Sequence, residues 1–423
     1  MRLRELPPTA GLAPRMLDLV ERPRITLEAQ LCGWLGVPQV LVESSGSAAL
    51  SIAFEYLKMR SPAREVVVPA FTCPLVPLAA AKAGLKVRAC DTTQTRFDLD
   101  VAKLAPMLSE RTLCVIPTHW GGALSDTAAV RAVVTASGCG AYILEDCAQA
   151  FGSTINGQPL GRHADIAIFS FAVGKGLTLY EGGVVSSTDP MMRAGLEAVS
   201  TRLAKAKRWI EALRILQLIG YHCGYRPATL RLLYGLPRLR RLKRNDIIKA
   251  LGDDQPLTPL GRVGRWRMRV AANAIQRLPA HLATSRDTFQ RLAKRLSRLA
   301  GVRVHASPRG ASAPCTYIFL TFQSPEGADW VLAESAPMGL GITRLYAFTL
   351  DRYPHLASVI TDGPFPCAAN LAARTVTLTT SVYMTSGEET QVVDLISKGA
   401  TIGAGGEKGA RTEEAREAER CRG

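Results

Sequence analysis

The sequence predicts an α/β protein with a large domain on a mainly parallel sheet, followed by a smaller α+β domain. Three observations carry this. Over the first half of the chain, short apolar runs alternate with stretches of about ten to fifteen residues at helical spacing. Just beyond the ends of the apolar runs stand Ser, Thr, His, Asp and Lys, at the strand ends where such sheets bind ligands. The chain has 423 residues, 47% of them hydrophobic and with no low-complexity bulk, which is enough for two domains and a large core.

The elements follow in order. Residues 1–24 carry Pro and Arg and read as an irregular arm. Residues 26–35 have helical spacing, a Thr start and Gly36 as a stop. Residues 40–54 read as a short strand, a Ser45-Gly46-Ser47 turn and a helix. Small residues at a helix start expose N–H groups and hydroxyls, which suits a phosphate but equally an ordinary Ser cap. A buried strand over 65–69 runs into the Thr72-Cys73-Pro74 loop and a helix to Gly84. A strand at 85–91, a helix at 97–108, a strand at 112–119 ending in His119 and a helix at 127–137 come next. Apolar runs at 141–146 and 164–171 end in Glu145-Asp146 and in Ser170-Phe171, with Lys175 on the Gly-rich loop that follows. Residues 266–300 read as one long helix, and strands at 315–322, 341–346 and 375–379 build the smaller domain. The expected division is 1–200 for the large domain, 201–255 for a basic helical insertion, 256–398 for a linking helix and the small domain, and 399–423 for a disordered tail.

Charge is uneven. Of the net +16, residues 201–250 hold thirteen Lys/Arg against two acids, Glu211 and Asp246. The bland reading of 202–249 is a solvated helical excursion. The sharper one is a face that rests on anionic lipid or on a lipid-linked phosphate. Nucleic acid is the weakest, because no binding motif accompanies the charge. Ten scattered cysteines without a C-x-x-C pair or a His cluster read as free thiols in a reducing compartment, with no metal site. The first twenty residues do not read as a signal peptide, and no apolar run reaches the length of a spanning helix.

The chemistry concentrates on two strand ends. An acid closing one buried strand (Asp146, with Gln149 three residues on) and a lysine beyond the next (Lys175) are what pyridoxal phosphate requires. The lysine amine forms the Schiff base, and the carboxylate keeps the ring nitrogen protonated. Ser45, Thr72, His119, Asp146 and Lys175 all fall at strand ends, so one shared site is expected.

With these residues in place, the chain resembles the DegT/DnrJ/StrS family of fold-type I pyridoxal-phosphate enzymes, the sugar aminotransferases. The resemblance runs from about residue 27 to 396 and rests on Ser45-Gly-Ser-Ala-Ala-Leu50, Val68-Pro-Ala-Phe-Thr72, Glu145-Asp-Cys-Ala-Gln149, Phe169-Ser-Phe171 with Lys175, Glu181-Gly-Gly183 and Gly341-Ile-Thr-Arg-Leu-Tyr346. It implies a fold-type I sheet of seven strands, Lys175 as Schiff-base lysine and proton carrier, and Asp146 on the pyridinium nitrogen. It also implies Gln149 near the ring oxygen, and Gly46, Ser47 and Ser170 on the phosphate. Thr72 and Cys73 join the cofactor-binding set, with Cys73 where the family often carries a stacked aromatic residue. The implied reaction moves an amino group, often from glutamate, to a keto-sugar that is usually nucleotide-linked, in a cytoplasmic homodimer. Lysine at 175, where some members have histidine and act as dehydratases, favours aminotransfer. An asparagine that many members carry near 263–265 is missing, with Arg262, Arg265 and Arg267 as substitutes in reach. Together with the basic segment this suggests a branch serving polysaccharide or lipid-linked glycan synthesis at the inner membrane face. Two alternatives stay open: the same fold acting on a non-sugar ketone, and a non-catalytic regulatory member.

Overall fold

A computed structural model describes residues 3–205 and 207–405. Its large sheet has seven strands: β1 (Leu41–Glu43), β2 (Glu65–Pro69), β3 (Lys86–Cys90), β4 (Thr112–Val115), β5 (Tyr142–Asp146), β6 (Ile166–Ser170) and β7 (Gly183–Ser186). They lie in the order β1-β7-β6-β5-β4-β2-β3. The β2–β3, β2–β4, β4–β5 and β5–β6 pairs are parallel, and β7 runs antiparallel to both β1 and β6. Every residue of β2 and β6 is buried, as expected for strands covered by helices on both faces. The parallel strands therefore all deliver their carboxyl ends to one edge, and that edge is where the candidate residues collect.

Local signals set many of the element ends. Thr26 accepts the Ala29 N–H at the start of helix Leu27–Leu35, and Gly36 closes it in the left-handed conformation. Ser45 does the same for Gly46–Arg60 through the Ala48 N–H, and Asp126 for Thr127–Ser137 through Ala129. Such a cap contributes about 1 kcal/mol.

Five expectations differ from the structure. The strand expected over 341–346 is only Ile342–Thr343. The helix expected over 97–108 is only Val101–Leu104 with a tight turn at Ala105–Met107. Phe97 is instead buried in a bend, Leu99 is buried in a bridge to Thr92, and Asp100 caps the helix through the Ala102 N–H. The long helix expected over 266–300 is two, Arg265–Ala274 and Leu278–Leu296, joined by a tight turn. Pro279 has no N–H to give and sits in the first turn of the second, where none is needed. The arm holds a short helix, Met16–Val20. The last helix, Ser386–Gly405, runs through residue 399, where the tail was expected to begin, and residues 406–423 lie outside the described residues.

The smaller domain is an antiparallel sheet of β8 (Val302–Val304), β9 (Tyr317–Phe322), β10 (Ile342–Thr343) and β11 (Thr375–Thr379), in the order β8-β9-β11-β10. Helices Pro325–Met338 and Ser386–Gly405 pack against each other and against this sheet. The 201–255 region is mainly helical, with Arg208–Gly224, Leu236–Lys243 and Ile247–Leu251 as its main pieces. Among the described residues no helix is long and apolar enough to cross a membrane.

Candidate active site

Lys175 stands on the loop between β6 and β7. Phe171 N–H donates to Gly182 at 2.8 Å and Leu179 N–H to Phe171 at 2.8 Å, which closes the loop at its base. Gly174 has φ +80°, a conformation that side chains resist, and Lys175 N–H returns to Ala172 at 3.1 Å. The arm holds this turn from outside. Thr9 Oγ1 donates to Gly174 O at 2.6 Å, Leu12 N–H to Gly176 O at 3.0 Å, and a Cβ on Gly11 would sit 2.9 Å from Gly174 Cα. Tyr225 of the basic segment donates in turn to Thr9 O at 2.9 Å.

The lysine side chain is half-buried, and its amine makes no hydrogen bond or ion pair among the described residues. Burial pushes its pKa down from the usual lysine value, while the nearby Cys73 and Asp146 oppose that shift. Asp146 closes β5 with its side chain buried. Its Oδ1 accepts the Ala148 N–H at 2.9 Å. Burial raises the Asp146 carboxyl above its ordinary range, against the Ala148 N–H and the charges of Lys175 and His119. Cys73 is near both groups, and burial pushes its thiol up to about 11.

Gln149 is oriented from both ends. Tyr317 OH donates to its Oε1 at 2.6 Å, and its Nε2 donates to Tyr346 OH at 3.0 Å. Gly121 N–H fixes the Tyr317 hydroxyl in turn at 2.9 Å. Both tyrosines come from the smaller domain, so the amide is held across the domain boundary.

At the start of helix Gly46–Arg60, the Ser45 and Ser47 hydroxyls are 2.9 Å apart. A Cβ on Gly46 would come within 3.0 Å of Ser170 Cβ, and one on Gly183 would strike Ser45 O at 2.3 Å. The glycines thus let the β1, β6 and β7 ends close around a helix N-terminus whose N–H groups face an anion well. Thr72 is fully buried, with its hydroxyl 3.4 Å from Thr118. An unpartnered amine, a buried carboxylate and an anion seat at one sheet edge fit pyridoxal phosphate.

The structure brings Lys175, Asp146, Cys73 and Gln149 together, with Gly46, Ser47 and Ser170 grouped at the helix start beside the same loop. His119 is different. Its Nδ1 accepts the Ser125 N–H at 3.2 Å, so its proton lies on Nε2, 3.2 Å from Glu145. Gly161 N–H takes the other Glu145 oxygen at 2.9 Å. Burial pushes the Glu145 carboxyl up, but the His119 contact outweighs it and the net shift is down. His119, Glu145 and Cys147 could together hold a metal ion by distance, but these hydrogen bonds already satisfy the ring and the carboxylate. His119 instead braces Asp146 from behind, donating its backbone N–H to Asp146 O at 2.9 Å. Of the arginines that could stand in for the missing asparagine, Arg267 is already used. It is buried, pairs with Glu211 at 2.6 Å and donates to the Leu179 and Glu181 carbonyls. Arg262 donates to Thr201 Oγ1 at 3.0 Å.

Sequence reasoning missed the arm at Thr9–Leu12 and the tyrosine at 317. It quoted Tyr346 only as part of a motif.

Known proteins share part of this sequence and its fold. Residues 23–244 match the DegT/DnrJ/EryC1/StrS aminotransferase family. The chain is 34% identical over 178 residues to UDP-N-acetyl-3-dehydro-alpha-D-glucosamine 3-aminotransferase of Acidithiobacillus ferrooxidans, covering 41% of this chain and 46% of that protein. It is 26% identical over 228 residues to GDP-perosamine synthase of Caulobacter vibrioides, covering 53% and 58%. The chain thus spans about half the length of these two relatives. The solved sugar aminotransferase CalS13 of Micromonospora echinospora superposes with a TM-score of 0.70 at 20% identity, over 93% of this chain and 99% of that one, and so shares the fold. With a matched segment that runs through every strand of the large sheet and includes Gly46, Asp146 and Lys175, the chain belongs to the DegT/DnrJ/EryC1/StrS aminotransferase family.

Proposed function

We propose that the protein is a pyridoxal-phosphate-dependent aminotransferase that moves an amino group from an amino acid, with glutamate the first candidate, to a nucleotide-linked keto-sugar. The observation that carries this is the Lys175 amine, half-buried, unpartnered and lowered in pKa, beside the buried Asp146. When bound, pyridoxal phosphate supplies the electron-accepting ring that lets an amino group pass between two carbonyl compounds.

The chain's own residues do the rest. Lys175 holds and moves the proton, because burial leaves its amine neutral more readily than a solvated lysine. Asp146, buried at the end of β5 with its Oδ1 accepting the Ala148 N–H, would hold a proton on the ring nitrogen, and the charge of that ring would offset the burial that raises its carboxyl. The helix start at Gly46, with Ser47 and Ser170, would seat the phosphate, and Gln149, fixed by its two tyrosines, would hydrogen-bond the ring oxygen. Thr72 and Cys73 border the site. The sugar reading draws on the names of the relatives, which act on UDP-, GDP- and dTDP-linked sugars. We further propose a homodimer, a cytoplasmic location consistent with the free cysteines, and contact with an anionic membrane through residues 202–249.

The test is the absorbance spectrum of the protein with added pyridoxal phosphate, before and after borohydride, and in a separate sample after glutamate. Cofactor fixed by borohydride on the peptide containing Lys175, with a glutamate-dependent spectral change, is the expected result. Cofactor that washes off untouched sinks the proposal. Light scattering that shows only monomer removes the dimer.

A further inference from the structure

Residues 208–243 leave two features without a partner among the described residues. The first is an apolar face. Helix Arg208–Gly224 turns Leu218 and Tyr221 inward, where they pack with Leu19 of the arm and with Tyr180. Trp209, 71% exposed, Leu213, Leu216, 66% exposed, and Ile219 stand outward, at a spacing that keeps them near one side of the helix. Leu232 and Leu233 follow on the next helical segment, beside the end of this helix. Both are exposed, and Leu233 Cδ1 would lie 2.8 Å from a Cβ on Gly224. Single exposed leucines are ordinary, but a continuous row marks a surface that meets something apolar.

The second feature is a cavity of about 790 Å³ between helices Leu236–Lys243 and Pro325–Met338, walled by Leu236, Leu239, Leu242 and Leu332. That volume lies in the range of about 300–1,000 Å³ typical of small-ligand sites. Arg238 lines it and is 7% exposed. Its only hydrogen bond among the described residues is from Nη2 to Thr343 Oγ1 at 2.9 Å, and its Nε has no partner. Glu5 is close enough to feel its charge but is held by Arg231 at 2.6 Å. Asp329 also lines the cavity but is paired with Arg344 at 2.5 Å, so Arg238 has no ion pair among the described residues, and a buried guanidinium in that position is costly unless an anion completes it. Arg240 and Lys243 reach the same cavity, and neither makes a hydrogen bond or ion pair among the described residues.

We propose that residues 208–243 dock the protein on an anionic lipid bilayer, with the leucine row in the interface and one acyl chain in the cavity, its phosphate on Arg238, Arg240 and Lys243. This names the groups behind the membrane contact proposed above. The charge favours it over the other occupants. A second copy across a two-fold axis would set this strongly basic segment against itself. Nucleic acid would satisfy the charge and leave the leucines and the cavity in water.

The test is co-sedimentation of the full chain with phosphatidylcholine vesicles, with and without phosphatidylglycerol, at low and high salt. Binding that needs the anionic lipid and falls with salt is expected. Leu232→Glu with Leu233→Glu lowers it at least tenfold, and Arg240→Gln and Lys243→Gln lower it about fivefold each. All four positions are exposed, and an unchanged circular-dichroism melting curve in these variants excludes misfolding. In solution, monomeric dioctanoyl phosphatidic acid binds and inorganic phosphate does not. Equal binding to neutral vesicles, equal binding of inorganic phosphate, or a dimer that Leu232→Glu dissociates overturns the proposal. None of these readouts depends on aminotransfer, so its failure and that of the enzymatic reading are told apart.

Discussion

Lys175 and Arg238 are both basic side chains withdrawn from solvent without an ion pair among the described residues, and they resolve that position in opposite ways. Lysine can give up its proton, and burial pushes Lys175 in that direction. A neutral amine is a nucleophile and a proton carrier. Arginine keeps its charge at any pH a protein tolerates, so Arg238 stays cationic and its charge must be met from outside. The same desolvation therefore makes a reactive group in one recess and an anion receptor in the other.

The largest expected effect breaks the first half of this contrast. Lys175→Arg keeps the cation but cannot shed it, and it should be as inactive as Lys175→Ala. A loss of about 10³-fold or more in the glutamate half-reaction is expected for both, with no cofactor fixed by borohydride. Activity surviving in the arginine variant would mean that the charge, and not the free amine, matters. Next is Asp146→Asn, which leaves shape and burial but cannot hold the ring proton. Its half-reaction should slow by about 10²-fold or more while the cofactor still binds.

His305 extends the contrast to stability. Burial, with the charges of Arg303 and Arg96, lowers its pKa from 6.5 to about 3. Between those values the unfolded chain takes up a proton that the folded chain refuses. Its contribution is therefore complete above pH 6.5 and is lost as pH falls toward 3. Unfolding free energies from urea titrations across this window should drop by on the order of 1–3 kcal/mol. His305→Gln should flatten that acid limb, and an unchanged limb would place the loss elsewhere.

The mirror of the first variant is Arg238→Lys. A lysine buried there can drop its charge, so anionic-vesicle binding should weaken about fivefold. An effect of the same size is expected at Tyr346→Phe, which leaves the Gln149 Nε2 donor without its acceptor. Cofactor affinity should fall by about 1 kcal/mol, read by spectral titration.

What the sequence reveals depends on how locally each feature is specified. Helix Thr127–Ser137 is bounded as expected because Asp126 starts it and Gly138 stops it within the same stretch. Asp146 and Lys175 are legible because each follows an apolar strand directly. Strand β7 is hidden because its four residues begin at Gly183 and merge with the glycine loop. The clamp on Gln149 is beyond local reading, since its tyrosines lie 168 and 197 residues away. Phe97 escapes its expected helix because the core, formed by distant strands, claims its ring against Phe71 and Phe319.

The hold of the arm on the lysine loop has a consequence for the order of assembly. Thr9 and Gly174 are separated by 165 positions, and the ribosome releases the first long before it makes the second. Joining them closes a very long loop, a step that comes late because its entropy cost precedes its reward. The strands and their glycine ends can form first, so the turn beneath Lys175 is among the last parts to be fixed. A nascent or partly unfolded chain can thus carry a complete sheet and still lack a positioned amine.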